Sequence, residues 1–348
     1  MKSVNYISKL LILLFGVSCT NDSQSTLDYT PLNFPISKKV EVTKLCDDFI
    51  FSVTRDMSIV GSSIFLRASS DSNKHSLQVI DINSKKHIAS FGSQGRGEGE
   101  LSEFSTFDIN PQNEEFIAIS QNKYVIYDLK KVLSNEPNYL KAQGVFKNVN
   151  STNEIFYLSD DKLLHVEALP RFIITTKDLQ DTLSRYDERH YISKFFAEHK
   201  NPDLQKRYFG NNSLFTVKPD KSKFVNSAYN GFYMEIFDIK RDKITSAQEC
   251  RFVEPRMKNE IMPMDGCIAG PLQIRSTDKY IYVLYSTDFG FDVKNVQLGV
   301  FDWKGREVKN YVLDKFTYNF AVTPDDNICY CWVQNADGEE YLGYFDLK

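Results

Sequence analysis

The sequence predicts an all-β fold: a six-bladed β-propeller of four-stranded antiparallel blades, closed by an N-terminal strand and carrying a short helical insertion. Three observations lead there. A short tag recurs through the chain, strand-like hairpins accompany the copies, and the spacing suits one blade per repeat. The tag is an apolar pair, an Asp and a further apolar residue: VIDI at 79–82, IYDL at 126–129, IFDI at 236–239, VFDW at 300–303 and YFDL at 344–347. A weaker copy, TKDL, lies at 176–179. Successive tag aspartates are 47, 50, 60, 64 and 44 residues apart.

Each tag is expected to end an apolar strand, with Asp capping the turn through backbone N–H groups two residues on. Polar residues follow at 83–85, 240–242 and 304–306, and a second strand returns, as in KHIASF or EVKNYVL. Another hairpin precedes the tag, clearest in FTVKPDKSKFVNSAY, LQIRSTDKYIYVLYS and FAVTPDDNICYCWV. Two hairpins give a four-stranded sheet rich in aromatic and β-branched residues. Such a sheet is marginal alone, whereas six arranged radially bury face on face and close a ring. The last tag aspartate, Asp346, is two residues from the C-terminus, so the sixth unit lacks its outer strand. The stretch KKVEV at 38–42 is expected to supply it. The 14% aromatic content then fills the interfaces between blades.

Residues 1–18 read as a signal peptide: Lys2 and Lys9 are followed by an apolar run at 10–17 that is too short for a permanent membrane span. The run ends in Ser18-Cys19 and resembles a bacterial lipobox, with Gly16 where Leu is usual; this implies lipidation at Cys19. Residues 19–37 would be a tether and 38–348 a single propeller domain. The formal net charge of −4 and the absence of a basic run argue against nucleic acid and against a polybasic membrane patch. Membrane contact is therefore expected only through the N-terminal lipid, and the body is expected to be monomeric. Of six cysteines, Cys329 and Cys331 share a strand face; Cys250 and Cys267 are either a disulfide or buried thiols.

The stretch FGSQGRGEGELSEF at 91–104 is not a dinucleotide loop, because Glu100 occupies the last position of a GxGxxG frame. It is not a P-loop, because Glu98 follows Gly97, and it lacks the spaced ligands of an EF-hand. Its glycines suit a joint between the outer strand of one blade and the inner strand of the next. It is similar to the GxxGxGPGEF stretch of the TolB-like six-bladed propeller lipoproteins of Bacteroidota, and more loosely to NHL repeats. Glu98 stands where that family often has Pro, and Leu101 where it has Phe; VFDWKGREVKNYVLD at 300–314 is also typical. The resemblance implies a propeller across the mature chain and an outer-membrane lipoprotein, facing the periplasm or the cell surface. The single Asp22 near Cys19 is a short version of an acidic surface-export signal.

Ligands of propellers generally bind on the face carrying the loops from outer to next inner strand. On that upper face Arg96, Glu98 and Glu100 are candidate ligand-binding residues, with Arg275 pointing into the channel. Asp288 and Asp292 are a candidate pair for a calcium ion; no other cofactor is expected. An insertion at 181–209 is expected to hold an amphipathic helix through Tyr191, Ile192, Phe195 and Phe196, and 245–271 is expected to be irregular. Together they would form a partial lid. His190 and His199 are nine apart and read as surface residues. GxSxG is absent, and no nucleophile–base–orienter set is visible. The function expected is a non-enzymatic binding or scaffolding propeller for an envelope protein, peptide or glycan. The alternative is a propeller hydrolase or lyase with a channel metal.

Overall fold

The computed structural model describes residues 30–46, 53–69, 74–102, 104–120, 123–145, 152–167, 172–178, 181–186, 213–228, 231–253, 268–289 and 293–348. Two short strands come first, β1 (Ser37–Val40) and β2 (Thr43–Cys46). The first blade is β3 (Val53–Val60), β4 (Ser63–Ser69), β5 (His75–Asp81) and β6 (Lys86–Ser93). The second is β7 (Phe104–Asn110), β8 (Glu115–Ser120), β9 (Lys123–Asp128) and β10 (Leu140–Val145), with a helical turn α1 (Leu129–Leu133) before its outer strand. The third is β11 (Thr152–Ser159), β12 (Lys162–Glu167), β13 (Phe172–Thr176) and β14 (Thr182–Tyr186). The fourth is β15 (Ser213–Val217), β16 (Lys223–Ala228), β17 (Phe232–Lys240) and β18 (Lys243–Val253). The fifth is β19 (Ile268–Ser276), β20 (Tyr280–Phe289), β21 (Gln297–Asp302) and β22 (Glu307–Leu313). The last is β23 (Phe316–Val322), β24 (Ile328–Gln334) and β25 (Glu340–Asp346). These make six antiparallel sheets in sequence order, each with its first strand innermost.

Closure differs in one detail from expectation. The strand β1, from KKVEV, adds in parallel to the outer edge of the fifth blade, Ser37 opposite Asn310 and Val40 opposite Leu313. The missing strand of the sixth blade is β2, antiparallel to β25 with Thr43 opposite Tyr344. The chain crosses between the two at Val42, whose N–H donates to Asp314 Oδ1 at 2.9 Å. That carboxylate holds the crossover and leaves the next four residues to pair with β25. The N-terminal strand region therefore fastens two blades instead of one.

Blade interfaces hold the core. Between the first and second blades lie Phe65, Phe91, Phe107, Phe116 and Tyr127. Phe172, Phe215, Phe224 and Phe237 fill the interface of the third and fourth, where Phe224 and Phe237 stack with centroids 4.6 Å apart. Trp332, Tyr282, Leu298 and Leu342 belong to the largest cluster, which spans the closing blades and the first. Fully burying such side chains contributes about 1.5–3 kcal/mol each, which is why the aromatics concentrate there.

Tag aspartates act as turn caps where the turn follows at once. Asp302 Oδ1 accepts the N–H of Lys304 at 2.8 Å and of Arg306 at 3.0 Å, Asp81 accepts that of Ser84 at 2.7 Å, and Asp128 caps α1 through Lys131 N–H at 3.0 Å. Asp238 is an exception. Its strand continues to Lys240, and the turn is made by Arg241 and Asp242, both left-handed. Its carboxylate pairs instead with Lys223 and Lys240.

The glycine-rich stretch is a joint. Gly99 has φ 70°, donates its N–H to Gln143 Oε1 at 2.9 Å and accepts the Tyr127 hydroxyl at 2.7 Å, so the turn is bolted to the second blade. Leu101 beside it is buried. The segment expected to be irregular, 245–271, is strand at both described ends: β18 runs to Val253, and Pro271 sits in β19 at a register shift. A bulge is where an inner strand tolerates proline. The start of the 181–209 insertion is the outer strand β14, while Tyr191, Ile192, Phe195, Phe196, His190 and His199 lie outside the described residues. Cys250, Cys329 and Cys331 are buried free thiols, Cys46 is buried, and Cys267 is outside the described residues. The Cys250 sulfur lies beneath Gly305 of the next blade, where a Cβ would come within 2.1 Å of it.

Candidate functional site

The inner strands leave their free edges facing the axis, and their polar side chains tie neighbouring blades together. In β7, Thr106, Asp108 and Asn110 share one face, the period of two placing all three toward the third blade. Thr106 Oγ1 donates to Glu154 Oε2 at 2.5 Å, the Tyr157 N–H donates to Asp108 Oδ2 at 2.7 Å, and Asn110 Nδ2 donates to Asp160 Oδ1 at 3.4 Å. An inner-edge N–H would otherwise lack a strand partner, which gives an acidic residue a structural place at the axis.

Where the inner strands end and turn outward, they enclose a cavity of about 590 Å³. Every blade contributes: Ser58–Val60 from the first, Ile109–Gln112 from the second, Tyr157–Asp160 from the third, Val217 and Pro219–Lys221 from the fourth, Arg275–Asp278 from the fifth, and Ala321, Val322 and Pro324 from the sixth. Asp160, Asp220 and Asp278 stand at the exposed rim with the half-buried Lys221.

Arg275 occupies the inner end. Its Nε donates to the Met57 carbonyl at 3.0 Å, and Nη1 donates to Gln273 Oε1 at 2.9 Å and the Ile274 carbonyl at 2.7 Å. Nη2 donates to Asn319 Oδ1 at 3.2 Å and forms an ion pair with Asp56. A guanidinium has five N–H donors, and all are engaged. Arg275 thus clamps the first, fifth and sixth blades and has no donor left for an anion. Asn319 beside it is 1% exposed, and its Nδ2 has no partner among the described residues.

Two carboxyls near the axis are strongly perturbed. Burial, reinforced by the charge of Asp56, pushes the Glu154 carboxyl up to about 7, although the Thr106 hydroxyl, Arg275 and Arg67 favour its ionised form. Burial also raises Asp108, opposed by the charge of Lys221 and by the N–H groups of Tyr157 and Ile109. A carboxyl titrating near neutrality can bind a cation or carry a proton. Among the described residues, no group of three or more His, Cys, Asp or Glu is placed to hold a metal.

Of the described candidate site residues singled out from sequence, only Arg275 lines this cavity. Arg96 and Glu98 are exposed on the glycine joint, at the opposite end of β7, and Glu100 accepts the Gly97 N–H at 2.7 Å within that joint. Asp288 closes its own loop, accepting the N–H groups of Lys294 and Asn295, each at 2.7 Å, and Asn295 Nδ2 at 3.0 Å. Asp292 lies outside the described residues. Asp56, Asp108, Glu154 and Lys221 were missed. The available signal was a charged residue inside each of three inner strands, in TRDMSIV, STFDIN and NEIFYLS.

The family described as TolB-like 6-blade propeller-like matches residues 33–325. Among solved structures, a Bacteroides fragilis protein described as exported is similar at 14% identity and TM-score 0.58, over 90% of this chain and 99% of that one. The Cps50 (Swd1) β-propeller domain of Myceliophteria thermophila is similar at 9% identity and TM-score 0.52, over 85% of this chain and 96% of that one. At these identities the likeness is one of fold. No curated protein matches the sequence.

Proposed function

We propose that this chain, which belongs to the TolB-like six-bladed propeller family, is an exported binding propeller that receives its ligand in the axial mouth formed by the first turns of all six blades. The mouth cavity of about 590 Å³ carries the reading, since it is large enough for a small molecule or the end of a peptide or glycan chain. Lipidation at Cys19, following removal of residues 1–18, would hold the propeller at the outer membrane as a monomer, with an envelope protein, peptide or glycan as partner.

Two rim prolines, Pro219 and Pro324, provide the test. Full-length protein and the Pro219→Trp/Pro324→Trp variant would each be incubated with pooled envelope peptides, oligosaccharides and small metabolites, and retained compounds identified by mass spectrometry. A ligand held by the native chain and lost from the crowded variant supports the reading. A ligand held equally by both would place binding on another surface. For the anchor, incorporation of labelled palmitate should vanish in Cys19→Ala; label that persists rules out Cys19.

Glu154 favours a second reading, a channel hydrolase or lyase in which this carboxyl moves a proton. Glu154→Gln should then retain ligand and stop its conversion. A ligand recovered chemically unchanged from the native protein sets this reading aside.

A further inference from the structure

We infer that the axial mouth selects a cationic group, an ammonium or guanidinium on its ligand, and that Lys221 is the chain's own competitor for that position. The inference rests on the mouth being the ligand site and adds the chemistry of what enters it.

The argument starts from which charges are already spent. Arg275 is saturated by Asp56 and four further acceptors, and Asp220 is engaged by Lys218 and by the Ser222 N–H at 2.9 Å. Two exposed carboxylates then remain at the rim among the described residues, Asp160 and Asp278, against one cation, Lys221; Asp108 is not among the lining residues, and burial favours its neutral form. Among the described residues, Asp160 accepts only the long contact from Asn110. The residual field is acidic, and a cavity with low-dielectric walls concentrates it.

Lys221 shows where a cation would sit. It is half-buried among the lining residues, and among the described residues its ammonium has no hydrogen-bond or ion-pair partner. Its charge nevertheless acts on Asp108, a residue two blades away around the ring. An ammonium placed over the mouth, near an acid yet bonded to none, is a weakly held occupant that an external cation can displace. Its backbone is left-handed, φ 62°, on the turn between β15 and β16.

The two signs of ligand charge make opposite predictions for Lys221. Asn tolerates a left-handed backbone, so Lys221→Asn is expected to fold, which a thermal unfolding curve would verify. The probes are n-butylammonium, agmatine and, as the anionic control, glutarate, each titrated calorimetrically into full-length protein. The inference expects the two cations to bind and Lys221→Asn to tighten them about tenfold, because a like charge has left the mouth. It expects the exposed variants Asp160→Asn and Asp278→Asn to weaken them, and added salt to do the same. Glutarate binding that disappears in Lys221→Asn would overturn the choice of a cation while leaving the mouth as a ligand site. If none of the three probes binds the native chain or Lys221→Asn, the inference fails. The crowded Pro219→Trp/Pro324→Trp variant then decides separately whether the mouth binds anything.

Discussion

Glu154 and His165 make the stability of the third blade depend on pH with opposite signs. His165 is fully buried on β12, shares a hydrogen bond of 2.8 Å with the Thr175 hydroxyl, and is held down to about 4 by burial. Its folded pKa is below the unfolded value of 6.5, so between pH 6.5 and 4 the unfolded chain binds the extra proton. Stability therefore falls as pH drops through that window, by about 3 kcal/mol in all. Glu154 is the reverse: its folded value of about 7 exceeds the unfolded 4.5, so the folded chain keeps the proton and stability falls as pH rises from 4.5 to 7. The two offset each other between pH 4.5 and 6.5. Glu154→Gln should weaken the decline toward pH 7, to which the buried Asp108 also contributes, and make the His165 dependence more prominent. Urea unfolding at half-unit pH steps would check this; a variant whose profile parallels the native one contradicts the assignment of Glu154.

At the scale of the element, the tags predict unequal costs for one substitution. Asp302 satisfies two backbone N–H groups of its turn and an Arg306 ion pair. Asp302→Ala should cost about 1.5–3 kcal/mol, the range for hydrogen bonds to a charged acceptor. Asp238→Ala removes only partly exposed lysine pairs and should cost less than about 1 kcal/mol. Equal losses in chemical unfolding would mean that the aspartates do not act through their turns. These tags made the blades legible in the sequence, because an apolar strand ending in Asp leaves a local signature that repeats. The mouth was not legible in the same way. Asp108 meets the Tyr157 N–H across 49 positions, and Arg275 meets Asp56 across 219, so each looked like an isolated charge within a strand. The glycine joint drew notice through its composition, yet its Glu100 serves the turn itself. KKVEV was legible as a strand, but which blade it joins depends on the crossover at Asp314, far away in sequence.

At the scale of the whole molecule, the ring is closed by residues from both ends of the chain. A chain beginning at Glu41 keeps β2 and should fold as a monomer, losing the contacts of β1 and of Phe34 with Phe301. A chain beginning at residue 47 lacks the closing strand and exposes the edge of β25, so it should self-associate and unfold over a broader temperature range. Sedimentation and calorimetry distinguish the two; monomeric, cooperative behaviour of the shorter chain would mean that β2 is not needed for closure. The closed ring matters for function because it brings six first turns around one opening. The most direct test of that role is a methyl NMR titration of the full chain with the ligand returned by affinity selection, following Ile59 and Ile109 at the mouth and Leu101 in the glycine joint. Saturable shifts of Ile59 and Ile109 with one shared affinity, and an unmoved Leu101, are the predicted result. Shifts at Leu101 with the mouth methyls still would contradict it.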